Sequence, residues 1–140
     1  MTRNQSLVAA LSADAGVMAL IVGGIPYPQV AIPPKSGQVL IYKIDVEFTY
    51  QLSGPGTVNA AVEIRSWSTA NEGAHALADA VHAVLMPAGQ ATGFKGQLGG
   101  AGGIKVVSCL IDKEIEGVVA ITADQFVFEV VSTYGLKYVL

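Results

Sequence analysis

Between Val39 and Gln51 the chain alternates with a period of two: Leu40, Tyr42, Ile44, Val46, Phe48 and Tyr50 fall on one side, Lys43, Asp45, Glu47, Thr49 and Gln51 on the other. Extended backbone turns successive side chains to opposite faces, so this pattern predicts a long strand with one face buried. Wound as a helix, the same residues would scatter apolar groups around the whole circumference. The turn residues of LSGPGTV follow, and Val58, Ala60, Val62 and Ile64 then alternate with Asn59, Glu63 and Arg65. Two such runs across a short turn predict an antiparallel hairpin. A hairpin is marginal alone, so the rest of the chain must supply further strands and a layer over the apolar face.

Two segments have the helical spacing for that layer. From Asn4 to Ala13, Leu7, Val8 and Leu11 share one face, and Asp14 is placed to cap a short second helical turn running to Val22 and ended by Gly23 and Gly24. STANEGAHALADAVHAVLMP carries a predicted capping box from Thr69 to Glu72, an apolar stripe of Ala74, Leu77, Ala78, Val81 and Leu85, and a stop at Pro87. Before the hairpin, IPYPQVAIPPKSG holds four of the six prolines; their fixed φ and missing donors predict an extended surface connector. After the second long helix come GFKGQLGGAGGIKV, with six glycines and two lysines in fourteen positions, and then IKVVSCLIDKEI and ITADQFVFEVVSTY. These last two read as strands joined by a turn around Gly117. The expected fold is α+β: an antiparallel four-stranded sheet with helices packed on it, in the order α-β-β-α-β-β, as a single domain over residues 1–140.

The glycine-rich stretch fits neither G-x-x-x-x-G-K-[ST] nor G-x-G-x-x-G, and a strand follows it. Phosphate loops deliver the anion to a helix N-terminus, which is missing here. The expectation is a weakly ordered connection that orders against a partner; shortening residues 96 to 103 is then expected to spare the fold and impair docking. His75, Asp79 and His82 lie at i, i+4 and i+7 on the outer face of their helix, but no further Cys or His completes a metal site, so they read as a solvated face with a weak Asp79–His82 ion pair. Asp112, Glu114 and Glu116 read as a wet strand face, with no apolar pocket signalled to raise the pKa of one of them. Ser53, Ser66, Ser68, Ser108 and Cys109 have no local histidine partner, so no nucleophile triad is expected. No enzyme activity, cofactor or metal is predicted.

Cys109, the single cysteine, sits among strand formers and reads as a small buried hydrophobe. Trp67 reads either as a core or hinge anchor or as a subunit contact. Eight scattered Lys and Arg and a net charge of −3 argue against a dedicated nucleic-acid binder. No apolar run reaches the roughly 18 residues of a membrane helix, and the apolar N-terminal segment, interrupted by Asp14, reads as folded helix and not as a signal peptide. Only 14% of residues are charged, which points to a surface covered by other subunits.

Together, LVAALSADAGVMALIVGGIPYP, VLIYKI running on to YQLSGPGTVNAAVEIRSWS, and ANEGAHALADAVHAVL resemble the tail terminator (tail completion) proteins of long-tailed bacteriophages, in that family's order and over nearly the whole chain. The resemblance implies a structural protein that forms a homohexameric ring, caps the tail tube protein's polymer, ends its growth and offers its other face to the head-tail connector or stopper protein. It implies a place in the virion at the neck of the tail, host cytoplasm during assembly, DNA passing through the lumen without specific binding, and no membrane. Ring closure would cover the subunit's flanks and sheet edges, and net negative charge suits a lumen that must not hold phosphates. Loops on a rigid sheet carry variable contacts, so Leu52, Ser53, Gly54, Pro55 and Gly56 are expected to dock partners. So are Lys95, Gly96, Gln97, Leu98, Gly99 and Gly100 in the glycine stretch. That stretch and the apolar tail LKYVL depart from the family pattern. Two other readings stay open: another phage neck or head completion protein of similar fold, and a small-molecule binding domain, which requires a concave pocket with convergent polar groups.

Overall fold

Thr2 starts the first helix, α1 (Arg3–Ala13): its hydroxyl accepts from the Gln5 amide at 3.2 Å while the Gln5 side chain accepts from the Thr2 amide at 2.9 Å. This reciprocal cap satisfies two of the donors that a helix start leaves free. Asp14 then accepts from the Val17 amide at 2.9 Å and opens α2 (Ala15–Leu20), the short second turn expected from sequence. The computed structural model describes residues 1–21, 26–29, 38–48 and 56–139. The expected stop at Gly23 and Gly24, most of the proline connector, the strand positions beyond Phe48 and the turn residues Leu52 to Pro55 lie outside the described residues.

The remaining elements are β1 (Tyr27–Pro28), β2 (Val39–Phe48), β3 (Thr57–Ser68), α3 (Asn71–Leu85), β4 (Gly96–Gln97), β5 (Lys105–Ala120) and β6 (Phe126–Val139). The α+β class holds, but among the described residues the sheet has six strands, not four, in the order β1-β2-β3-β6-β5-β4. Its four long strands are mutually antiparallel, and β2 and β3 form the expected hairpin with Val39 opposite Trp67 and Phe48 opposite Val58. The two extra strands are two-residue edge pairs: β1 runs parallel to β2 at Ile41 and Tyr42, and β4 runs antiparallel to β5 at Lys105 and Val106. Two residues carry no readable periodicity, so neither was visible in the sequence. Pro26, expected on the surface, is buried.

The helices cover one face of the sheet. All five residues of the predicted α3 stripe are buried, and Leu77, Val81 and Leu85 meet Val62, Ile64, Tyr134 and Leu136 in a core that also takes in Leu7, Leu11 and Val17. Each fully buried Leu or Val side chain contributes about 1.5–3 kcal/mol of transfer free energy. Ala74 and Ala78 pack on Val130 and Phe128, where small side chains let α3 approach the sheet.

Two local expectations are corrected. The Thr69–Glu72 capping box does not form: β3 runs on through Ser68, the N-cap falls on Ala70 and makes no side-chain cap bond, and Gly73 occupies the position where Glu72 was needed. The Ser68 hydroxyl accepts from the Ala70 amide instead, at 3.2 Å. The turn between β5 and β6 is not at Gly117, which pairs with Glu129 inside the strand. It is built at Thr122–Gln125, where the Thr122 hydroxyl accepts from the Gln125 amide at 3.1 Å and the Ile121 amide donates to the Gln125 carbonyl at 2.9 Å. Thr122 and Asp124 carry turn chemistry that a lone strand glycine does not.

Candidate docking surface

The glycine-rich stretch follows a defined path, which corrects the expectation of a weakly ordered connection. From the end of α3 the chain crosses to β5: the Phe94 amide donates to the Leu85 carbonyl at 2.9 Å and the Cys109 amide to the Thr92 carbonyl at 2.8 Å. Gly93 lies between them with φ +70°, and a Cβ there would overlap the Cys109 carbonyl. Farther on, Gly99 has φ +81° and a Cβ would come within 2.6 Å of the Ser6 carbonyl oxygen. The glycines therefore permit close backbone approach, and they do not act as a tether. The Ile104 amide donates to the Ser6 hydroxyl at 3.1 Å and the N-terminal ammonium donates to the Gly102 carbonyl at 3.0 Å, which fastens the loop to the start of α1.

Of the residues expected to dock partners, Leu98 turns inward at 1% exposure and anchors the loop in the core. Lys95, Gln97 and Gly100 are exposed, whereas Gly96 and Gly99 are half-buried. Gly56 is half-buried just before β3, and Leu52, Ser53, Gly54 and Pro55 lie outside the described residues. Shortening residues 96 to 103 would remove Leu98 and the pairs made by β4, so it would not spare the fold as the sequence suggested.

His75 and His82 share one side of α3, but both are half-buried and not on a solvated face. His75 Nε2 reaches Glu116 of β5 at 3.2 Å, and the His82 ring stands 6.2 Å from that of Tyr134. Both histidines flank the buried stripe of α3, Asp79 is the exposed residue of the three, and the contact that forms is His75–Glu116, not Asp79–His82. Glu114 accepts a hydrogen bond from the Ser132 hydroxyl at 3.2 Å. A register shift between Ile111 and Lys113 carries Asp112, and it turns Glu114 and Glu116 toward the α3 side of the sheet. Among the described residues no three His, Cys, Asp or Glu side chains converge as a metal group would require. Cys109 is buried, as its neighbours implied, and burial pushes its thiol up to about 12, so it is the neutral thiol at neutral pH.

The face of the sheet away from the helices holds what sequence reading missed. Arg65 of β3 donates to both carboxylate oxygens of Glu129 on β6 at 3.1 Å and to Glu63 at 2.8 Å, and the Trp67 indole donates to Glu129 at 2.7 Å. Burial would lower the Arg65 pKa, but the Glu129 hydrogen bonds and the charges of Glu129 and Glu63 outweigh it and raise it above its ordinary value. Trp67 is thus an anchor in a polar cluster. Cross-strand placement of Glu129 opposite Trp67 depends on register, which no local pattern reveals. Beside this cluster an open trough of about 730 Å³ crosses the sheet over Ala61 and Gly135, with Asp45, Leu110, Asp112 and Lys137 on its walls. Small residues at paired positions leave its floor bare.

The strand next to the trough carries the apolar exposure. Val107, Leu110, Ile115 and Val118 of β5 and Phe126 of β6 are 38–61% exposed, and Met1 is the other large apolar side chain exposed among the described residues. Pairing puts Leu110 and Ile115 on the face away from the helices and Val118 and Phe126 on the helix side, so the exposure lines both faces along β5; exposed apolar groups gathered along an edge are candidate interaction surface.

A family model described as Tail completion protein gp17 matches residues 5–108, about three quarters of the chain. No curated protein matches the sequence. Among solved structures, a chain in the virion of a native gene transfer agent (GTA) particle shares the fold with a TM-score of 0.68 at 20% sequence identity, over 96% of this chain and 94% of that chain.

Proposed function

The chain belongs to the tail completion protein gp17 family, and on that premise we propose that it assembles as a homohexameric ring, caps the finished tail tube and stops further polymerisation. The family match over residues 5–108 carries the reading. The ring's second face receives the head-tail connector or stopper protein, and DNA crosses the lumen without specific binding. The chain acts as a structural component of the virion neck and not as an enzyme, and it meets its partners in the host cytoplasm during assembly. Lys95, Gln97 and Gly100, exposed on an anchored loop, and the turn Leu52 to Gly56 are the proposed docking elements toward tube and neck.

Two physical features support the ring. The exposed apolar side chains of β5 are the kind of surface that association buries. Among the described residues, β5 beyond Val106 also has no neighbouring strand on its outer side, an edge that a closed ring can cover. Native mass spectrometry of the purified protein, alone and mixed with its tube protein, tests the assembly state. A six-subunit species in either sample is expected; a monomer in both, or a complex only with portal-side proteins, overturns the reading in favour of another neck component.

A further inference from the structure

Strand β5 is 16 residues long, about 50 Å end to end, and the surroundings of its two ends differ in charge. At its start, exposed Lys105 lies near exposed Lys95, which precedes β4, and exposed Lys137 of β6, which lines the trough. Among the described residues none of these three lysines makes an ion pair, although they belong to a chain with only eight Lys and Arg. Val107 and Leu110 are exposed in the same region. In its far half, after Lys113, β5 carries Glu114 and Glu116 on the helix side of the sheet together with exposed Val118, with Phe126 and Asp124 at the turn and Ile115 on the opposite face. Backbone donors at Cys109 and Ile111 are taken by Thr92 and the Met86 sulfur, so the bare edge is the acidic half.

Each end therefore has apolar side chains with a charged border: three lysines outnumber Asp112 at one end, Asp45 being paired with Lys43, and Glu114, Glu116 and Asp124 outnumber Lys113 at the other, so the two net charges have opposite sign. We propose that the acidic arm formed by the far half of β5 and the start of β6 docks on the lysine corner of a second copy of this chain, head to tail. Within one molecule the two patches sit at opposite ends of a strand and cannot meet. Between molecules the apolar side chains bury one another while Glu114 and Glu116 face Lys95, Lys105 and Lys137. Such a contact joins unlike surfaces, so every copy keeps one free arm and one free corner until the assembly closes. The inference rests on the ring reading and names the contact that would close the ring.

Charge reversal tests it. Glu114→Lys with Glu116→Lys is expected to weaken self-association by at least about tenfold, and Lys105→Glu with Lys137→Glu by a similar factor. All four changes in one chain should restore assembly to within about threefold of the original, because the borders are again opposite. Val118→Asp, at a side chain 61% exposed, should impair assembly with an unchanged melting temperature, which separates a docking role from a folding one. Reversed variants that assemble like the original protein would overturn the arm contact while leaving the ring standing. A species of two subunits only would show a two-fold pairing of β5 with itself and overturn the head-to-tail geometry. An original protein that stays monomeric with and without tube protein would instead remove the ring reading itself.

Discussion

Gly93→Val destabilises the fold by more than about 4 kcal/mol, seen as a fall of about 10–20 °C in the melting temperature, or as loss of the folded protein from soluble expression. Two costs add. The backbone at Gly93 has φ +70°, a region that costs a β-branched residue about 1–3 kcal/mol. The new Cβ would also overlap the Cys109 carbonyl and lie 3.1 Å from the Leu85 carbonyl oxygen, so either β5 or the last turn of α3 must move. Both are fixed by hydrogen bonds to the residues on either side of Gly93, from Cys109 to Thr92 and from Phe94 to Leu85. Against a total stability of about 5–15 kcal/mol this loss is large. Gly100→Ala is the control: its φ is +93°, but nothing lies within 4 Å of the added Cβ, so only the dihedral cost applies, about 1 kcal/mol. A Gly93→Val protein that melts within about 2 °C of the original would show that the loop does not staple α3 to β5.

Glu129→Ala is expected to cost about 2–3 kcal/mol, measured by denaturant unfolding. The Glu129 side chain is 10% exposed, and it is the common acceptor for Arg65 and Trp67. Removing it strands a guanidinium and an indole donor. Arg65 keeps 32% exposure and its bond to Glu63, which holds the cost below that of a fully buried broken pair. Glu129→Gln should fall between, because the amide oxygen still accepts from Trp67 while the charge is gone. In a double-mutant cycle with Arg65→Leu, the second substitution should cost far less in the Glu129→Ala background, with a coupling energy of about 1–3 kcal/mol. Additive costs would mean that the two side chains only share a neighbourhood.

The elements with long periodic patterns could be read directly. The alternation in β3 and the α3 stripe each bury one face, the alternation in β2 marks its strand although Val39 and Ile41 are buried on the second face too, and Asp14 caps α2 through its own carboxylate. Features that depend on distant partners could not be read. The pairing of Gly96–Gln97 with Val106 and Lys105 needs a strand that follows a loop, and the Glu129 cluster needs β3 and β6 in register 62–64 residues apart. The glycine stretch was misjudged because glycine serves tethers and tight backbone crossings alike. Only the nearby Cys109 and Ser6 carbonyls show which applies here. Likewise, His75 and Asp79 look alike on a helical wheel, and it is the reach of β5 to Glu116 that separates them.

The two surfaces proposed for assembly differ in how far the sequence revealed them. Lys95 was placed among the docking residues from the loop alone, whereas its grouping with Lys105 and Lys137 appears only once β4, β5 and β6 lie side by side. The apolar edge of β5 was hidden for a similar reason. IKVVSCLI looks like a buried strand, yet Val107 and Leu110 stay exposed, Leu110 on the face away from the helices, where among the described residues no helix packs.

A chain that ends a tail tube as a six-membered cap must sit on the tube's growing end. Electron microscopy of tubes growing from purified tube protein, with and without the chain, tests this most directly. The account predicts a ring of six-fold symmetry at one end of each tube and an end to elongation there. Tubes that lengthen equally in both samples, with the chain absent from their ends, would contradict it.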